Sequence, residues 1–219
     1  MPQMRKKIAV LISGSGSNLQ ALIDACISPD YPAEIALVLS NKADAYGLTR
    51  AMNAGIPTEV LPHKPYPTRE AFDAAMQEIL LRYKVDYVCL AGFMRLLTAG
   101  FVSQWYGRMI NIHPSLLPLF KGLHTHQQAI DSGMRFAGCT VHFVVPEMDS
   151  GPIILQGIVP IHGDDTAERL NERVLKVEHK LYPLALKLLA SGRLSQENGK
   201  VVIAGNGQWE KNCLINPVG

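Results

Sequence analysis

The stretch Ile8-Ala-Val-Leu-Ile-Ser-Gly-Ser-Gly-Ser-Asn18 decides the fold, and the rest of the chain is read outward from it. Five consecutive apolar residues, too few for a helix, read as a strand buried on both faces. The glycine-rich turn Ser13 to Asn18 follows, and Asn18 to Ile27 reads as a helix. The same alternation repeats downstream. Strands are expected at Ile35–Leu39, Thr58–Leu61, Tyr87–Leu90 and Met109–Ile112, and helices at Ala45–Ala54, Thr68–Tyr83 and Thr98–Trp105. Such alternation makes crossover units and a parallel sheet covered on both sides. The second half changes character. Cys139–Val145 and Pro152–Val159 read as a strand pair, and a long helix over Thr166–Ala190 opens on an Asp165…Glu168 capping box. Pro183 should kink that helix or end it early, and a terminal hairpin is expected around Arg193 and Lys200–Ile203. The fold class is α/β: a Rossmann-like, mostly parallel twisted sheet with mixed strands in the C-terminal half.

Composition narrows the function classes. The chain has 219 residues, 47% hydrophobic and 18% charged, with a net charge of +2. The charged share lies below the roughly 25% usual for soluble domains, which points to a large core and excludes a disordered chain. No basic stripe invites nucleic acid, and no apolar run approaches a membrane span. Cys26, Cys89, Cys139 and Cys213 are scattered, with no C-x-x-C pair, so neither a disulfide framework nor a thiolate metal site is indicated. The basic start at Met1–Lys7 precedes too short an apolar run for a signal peptide. A cytoplasmic protein of one compact domain over residues 1–219 is expected, with no linker and no internal repeat.

Four segments carry candidate chemistry. Gly14 and Gly16 fit the first two glycines of a dinucleotide loop, but Leu19 stands at the third, and the second strand ends Ser40-Asn41-Lys42 without the acid that would hold a ribose. A phosphate monoester therefore suits the loop better than a dinucleotide, with a plain tight turn as the competing reading. Asn111 and His113 fall on one face of a buried strand at its carboxyl end, where an amide can hold an oxyanion while an imidazole moves a proton. A core pair satisfying the following loop is the competing reading. His124 and His126 lack a third ligand, and His142 and His162 stand isolated, so no metal is expected. Asp149, in Pro146-Glu-Met-Asp-Ser-Gly151, either lies in a solvated hairpin or reaches back to hold the tautomer and charge of His113.

Taken in order, SGSGSNLQALIDA, SNKADAYGLTRA, LAGFMRLL, NIHPSLLP, GLHTHQQAI, GCTVHFV, MDSGPII and VEHKLYP resemble the phosphoribosylglycinamide formyltransferase family, across roughly residues 7 to 195. The Asn-x-His-Pro run alone is shared with other formyl-folate enzymes, among them methionyl-tRNA formyltransferase and formyl-folate deformylase. The phosphate loop and Gly-Leu-His-Thr-His narrow the likeness, and the extra domains of those two enzymes are not expected. Leu119 and Lys121 depart from the family pattern, and nothing beyond Gln196 matches it.

The resemblance implies formyl transfer from 10-formyltetrahydrofolate, a cosubstrate, to the amine of 5'-phosphoribosylglycinamide in purine biosynthesis. It implies that Asn111, His113 and Asp149 are catalytic. Gly16, Ser17, Asn18 and Glu178 would hold the ribonucleotide. Arg69, Met94, Arg95, Leu96, Leu97, Asn111, Val145, Pro146, Glu147, Met148 and Asp149 would hold the folate, Arg69 at its glutamate tail. The N-terminal half, about 1–105, would bind phosphate, and the half from about 106 to 219 would carry catalysis and folate binding. The Leu117–Pro118 bond would be cis. Partners are then small molecules, with neither nucleic acid nor membrane, and the chain a monomer or homodimer. Two rivals from other classes are an NADP-dependent oxidoreductase, with Lys42 on the 2′-phosphate, and a sugar-phosphate sensor without turnover.

Overall fold

The computed structural model describes residues 4–205, so Cys213 and Met1–Gln3 lie outside it. The first apolar run becomes β1 (Lys6–Ile12), whose last five residues are wholly screened from solvent. It is followed by α1 (Ser17–Cys26), β2 (Ala33–Ser40), α2 (Tyr46–Asn53), β3 (Thr58–Val60), α3 (Arg69–Arg82), β4 (Tyr87–Leu90), α4 (Ala99–Gln104) and β5 (Met109–His113). Then come α5 (Thr125–Asp131), β6 (Phe136–Phe143), β7 (Ile153–Pro160), α6 (Ala167–Ala190), and a separate hairpin of β8 (Leu194–Glu197) and β9 (Lys200–Ile203). The large sheet runs β3-β2-β1-β4-β5-β6-β7, parallel from β3 through β5 and antiparallel for β6 and β7. This is the expected Rossmann-like fold.

The two faces of β1 seed two cores. Ile8, Val10 and Ile12 pack with Leu22 of α1, Leu48 of α2 and Leu186 of α6. Ala9 and Leu11 pack with Met76 and Leu80 of α3, and with Phe101 and Trp105 at α4. Because the chain turns outward in opposite directions from β1 and β4, the crevice beyond their carboxyl ends is where such a sheet receives a ligand.

Three expectations change. The cap of α6 is Thr166, whose hydroxyl accepts from the Arg169 N–H, rather than Asp165. Asp165 is engaged elsewhere: both terminal nitrogens of Arg173 donate to it at 2.8 Å, and it accepts from the His162 N–H. Pro183 does not end α6, which runs on to Ala190. An interior proline costs about 3 kcal/mol, and burial of Tyr182, Ala185, Leu186 and Leu189 on the same helix offsets it. The Tyr182 hydroxyl donates to the carbonyls of Leu90 and Ile110, and the Tyr31 hydroxyl to that of Pro183, which pins this turn to the sheet. Finally, β6 starts at Phe136, three residues before its expected start, and α5 precedes it where no helix was expected.

The Asp165–Arg173 pair makes a stability prediction. The guanidinium holds the Asp165 carboxyl down to about 2. A carboxylate depressed on folding stabilises the protein above its unfolded pKa near 4, and the benefit is lost as pH falls toward 2. Arg173→Met should therefore cost about 1–2 kcal/mol at pH 7, seen as a melting temperature lower by roughly 2–6 °C. At pH 2 the gap should shrink to the part that the Arg173 donation to the Pro160 carbonyl and the remaining ionised Asp165 supply.

Candidate active site

β5 delivers Asn111 and His113 to the same side of the sheet, because Ile110 and Ile112, which alternate with them, are committed to the opposite core. His113 is buried. Its Nε2 lies 3.0 Å from the carbonyl of Phe120, and its Nδ1 lies 3.5 Å from Asp149 Oδ2. Each ring nitrogen of His113 thus faces an acceptor, a carbonyl at Nε2 and a carboxylate near Nδ1. Asp149 is held in a left-handed conformation, φ 49°, and accepts the Gly122 N–H at 2.9 Å. One carboxylate thus joins the loop after β5 to the loop between β6 and β7. Lys121 donates to Ser150 across the same seam. The Leu117–Pro118 bond in the first of these loops is cis.

His142 is not isolated. Antiparallel pairing sets it directly opposite Asn111, and the Asn111 amide lies 3.2 Å from its Nε2. Its Nδ1 lies 2.9 Å from the carbonyl of Phe143, which fixes the proton there and leaves Nε2 to accept from the amide. Burial pushes the His142 pKa down, which keeps this neutral form. His142 Nε2 also lies 3.9 Å from Asp149 Oδ1. A second histidine therefore sets the direction of the Asn111 amide and completes a cluster of four.

The glycine turn after β1 lies at the same carboxyl edge of the sheet, two strands from β5. Gly16 caps α1 in the left-handed region, φ 70°, and a Cβ there would lie 2.6 Å from the Gly47 backbone. No side chain caps α1, so its first N–H groups are left without a side-chain partner. Arg50 donates to the Ser15 carbonyl at 2.9 Å and braces the turn from α2. The Asn18 amide donates to Glu178 Oε2 at 2.6 Å, joining the loop to α6. Glu178 is buried, and burial raises its pKa against the lowering effect of that hydrogen bond.

The loop after β4 hangs on the same edge. The Met94 N–H donates to the Ser13 hydroxyl, which donates to Asn41 Oδ1. Asp73 of α3 accepts the Thr98 N–H at the loop's end. Phe93 and Leu97 pack inward with Val144, while Met94 and Leu96 stand exposed. Leu119, Leu123 and Met148 are exposed on the facing loops. Arg95 Nε is buried without a partner. An apolar rim around a guanidinium whose Nε–H is unpaired fits a flat heterocycle with polar edges.

The expected residues are therefore gathered as two neighbouring groups, around Gly16 and around His113. Val145, Pro146, Glu147 and Met148 form the strap that carries Asp149. Arg69 stands apart, exposed on the first turn of α3, one turn before Asp73. Among the described residues no group of three or more His, Cys, Asp or Glu could hold a metal, and no helix is long and apolar enough to cross a membrane. Burial pushes the Cys139 thiol up to about 12 and Cys26 up to about 11, so neither is a nucleophile at neutral pH.

The formyl transferase family model matches residues 6–186. The phosphoribosylglycinamide formyltransferase of Escherichia coli (strain K12) is 48% identical over 198 residues, which are 90% of this chain and 93% of that protein. The trifunctional purine biosynthetic protein adenosine-3 of Bos taurus is 54% identical over 198 residues, but the chain spans only 20% of its length. The crystal structure of glycinamide ribonucleotide transformylase 1 from Symbiobacterium toebii superposes with a TM-score of 0.89 at 50% identity, covering 91% of this chain and 94% of that one.

Proposed function

The chain belongs to the formyl transferase family, and from that premise we propose that it is a phosphoribosylglycinamide formyltransferase. It passes the formyl group of 10-formyltetrahydrofolate to the primary amine of 5'-phosphoribosylglycinamide, a step of purine biosynthesis. The observation that carries this reading is the Asn111–His113–Asp149 cluster at the carboxyl end of β5, with a phosphate-ready helix start on one side and an apolar, Arg95-bearing loop on the other.

Each residue has a task. The N-terminal turn of α1, with Gly16, Ser17 and Asn18, takes the phosphate. Glu178, already accepting from Asn18, orients the ribose or the glycinamide amine. Met94 to Leu97 and the strap Val145 to Asp149 flank the pteridine, and Arg69 faces the glutamate end. The amine attacks the formyl carbon, and the carbonyl electron pair moves to oxygen. Asn111 Nδ2–H and the His113 Nε2–H, released from the Phe120 carbonyl, stabilise that oxyanion. Asp149 stabilises the imidazolium. The amine loses one proton, the folate N10 gains one, and the bond from carbon to N10 breaks. No covalent enzyme intermediate is required. Holding both substrates in line supplies much of the remaining acceleration. The two halves act as one unit, since Glu178 from the second completes the phosphate site of the first. Three free thiols in the described residues suit a reducing cytoplasm.

The test is direct. The protein, glycinamide ribonucleotide and 10-formyltetrahydrofolate are mixed, and loss of the formyl group from the folate is followed. Transfer dependent on both substrates supports the proposal, and ribonucleotide binding without turnover would overturn it. Within this scheme Glu178→Gln should raise the KM for the ribonucleotide by about tenfold or more, with the folate KM nearly unchanged. Steady-state kinetics with each substrate varied in turn checks it.

A further inference from the structure

We propose that His126 is a positioning residue for the reaction, acting through Phe120 on the release of His113. Its Nε2–H donates to one water in a cavity that it shares with Phe120, and that water donates to the Phe120 carbonyl when His113 leaves it for the reacting carbon. The inference rests on the formyl-transfer reading above and concerns how the catalytic ring is freed.

Two unmet needs fall at one place. The Phe120 carbonyl lies 3.0 Å from His113 Nε2, and the chemistry requires that N–H elsewhere. A carbonyl stripped of its donor beneath bound substrates costs free energy, so release of His113 is opposed unless a second donor replaces it. Thr125 and His126 open α5, and the Thr125 hydroxyl donates at 2.7 Å to the carbonyl of Pro114, the residue after His113. This tether sets the first turn of α5 against the loop that carries Phe120. There His126 Nε2 is buried without a hydrogen-bond partner.

His126 and Phe120 line the same small cavity, of about 10 Å³, which is room for about one water. Ala129 and Met134 make part of its wall apolar, so few groups there can hold a water. Two hydroxyls also line it, but both protons are committed: Thr125 donates to Pro114, and Ser115 donates to the Leu119 carbonyl at 2.6 Å. That leaves the His126 imidazole as the side-chain donor facing Phe120. Burial, and after it the neighbouring His113 charge, push the His126 pKa down. His126 thus stays a neutral ring with one proton to share, while His113 carries the charge.

The experiment measures kcat and both KM values for the parent, His126→Phe and His126→Gln, and repeats the series in the His113→Asn background. His126→Phe keeps a flat ring without a donor and should lower kcat about tenfold or more, with each KM within about threefold of the parent. His126→Gln, whose amide can donate in place of the ring, should keep kcat within about threefold. In the His113→Asn background His126→Phe should change kcat by less than about twofold, because no ring has to be released. Full activity of His126→Phe, or no recovery with glutamine, would overturn the role. An equal loss in both backgrounds would also overturn it and make His126 a packing residue of α5. Should phenylalanine prevent folding, as circular dichroism and melting would show, His126→Leu takes its place under the same expectations. A parent without turnover would overturn the formyltransferase reading and this role with it, whereas an active parent with an unaffected His126→Phe overturns this role alone.

Discussion

His113→Asn should lower kcat by about 10²–10⁴ while the KM for each substrate moves by no more than about threefold. The magnitude follows from what the ring alone supplies. His113 is the one group of the cluster placed to bring a positive charge and a transferable proton to the reacting carbon. Asn111 remains as a neutral donor, which accounts for the residual rate. Neither the start of α1 nor the loop after β4 depends on His113 for a hydrogen bond, so ground-state binding should hold. The asparagine also keeps a donor that can reach the Phe120 carbonyl, so the loop after β5 keeps its tether. Single-turnover and steady-state rates measured together check it. A variant with full turnover would place His113 outside the chemistry, and a joint loss of binding would make it a loop anchor.

Gly16→Val should raise the KM for the ribonucleotide by about 100-fold or more, with the dissociation constant for the folate nearly intact. Two costs act together. At φ 70° a β-branched side chain is strained by about 1–3 kcal/mol, and its Cβ would sit 2.6 Å from the Cα of Gly47. The obstacle is main chain, so it cannot rotate aside. The start of α1 must move from α2 and carry its N–H groups off the phosphate. The loop after β4 is tied to Ser13, one residue past β1, and should stay in place. Calorimetry with each ligand separately decides it. Equal weakening of both would mean that the turn shapes the whole edge rather than the phosphate site.

How much of this was legible in the sequence depends on where each signal lies. β1 to β5 are apolar runs closed by glycine, proline or polar residues, and a parallel sheet leaves no other reading. Thr68 and Thr98, where two helices were expected to begin, cap α3 and α4 by accepting from the N–H three residues on. α5 gave no such signal: it is seven residues long, buries only Thr125 and Ala129, and is entered through His124 in a left-handed conformation. The cap of α6 was misplaced by one residue because Asp165 and Thr166 are both good caps, and the deciding contact is Arg173, two turns away. The Asn111–His113 pair could be found by strand period. His142 could not, because β6 is buried on both faces and alternation there marks nothing. Only the pairing of β6 against β5, a long-range fact, sets it opposite Asn111. Arg69, by contrast, was named from resemblance alone, and nothing in its surroundings marks it out.

The hydrogen bond between Asn18 and Glu178 spans 160 positions of the chain. A polypeptide made from its N-terminus at roughly 5–20 residues per second exposes Asn18 for about 8–30 s before Glu178 has been added. During that interval the glycine turn and α1 can form, yet the carboxylate that accepts from Asn18 in the finished chain does not exist. On the proposed function, an unfinished chain therefore carries only the phosphate side of the ribonucleotide site, and the carboxylate side arrives with the long C-terminal helix once it has emerged and docked.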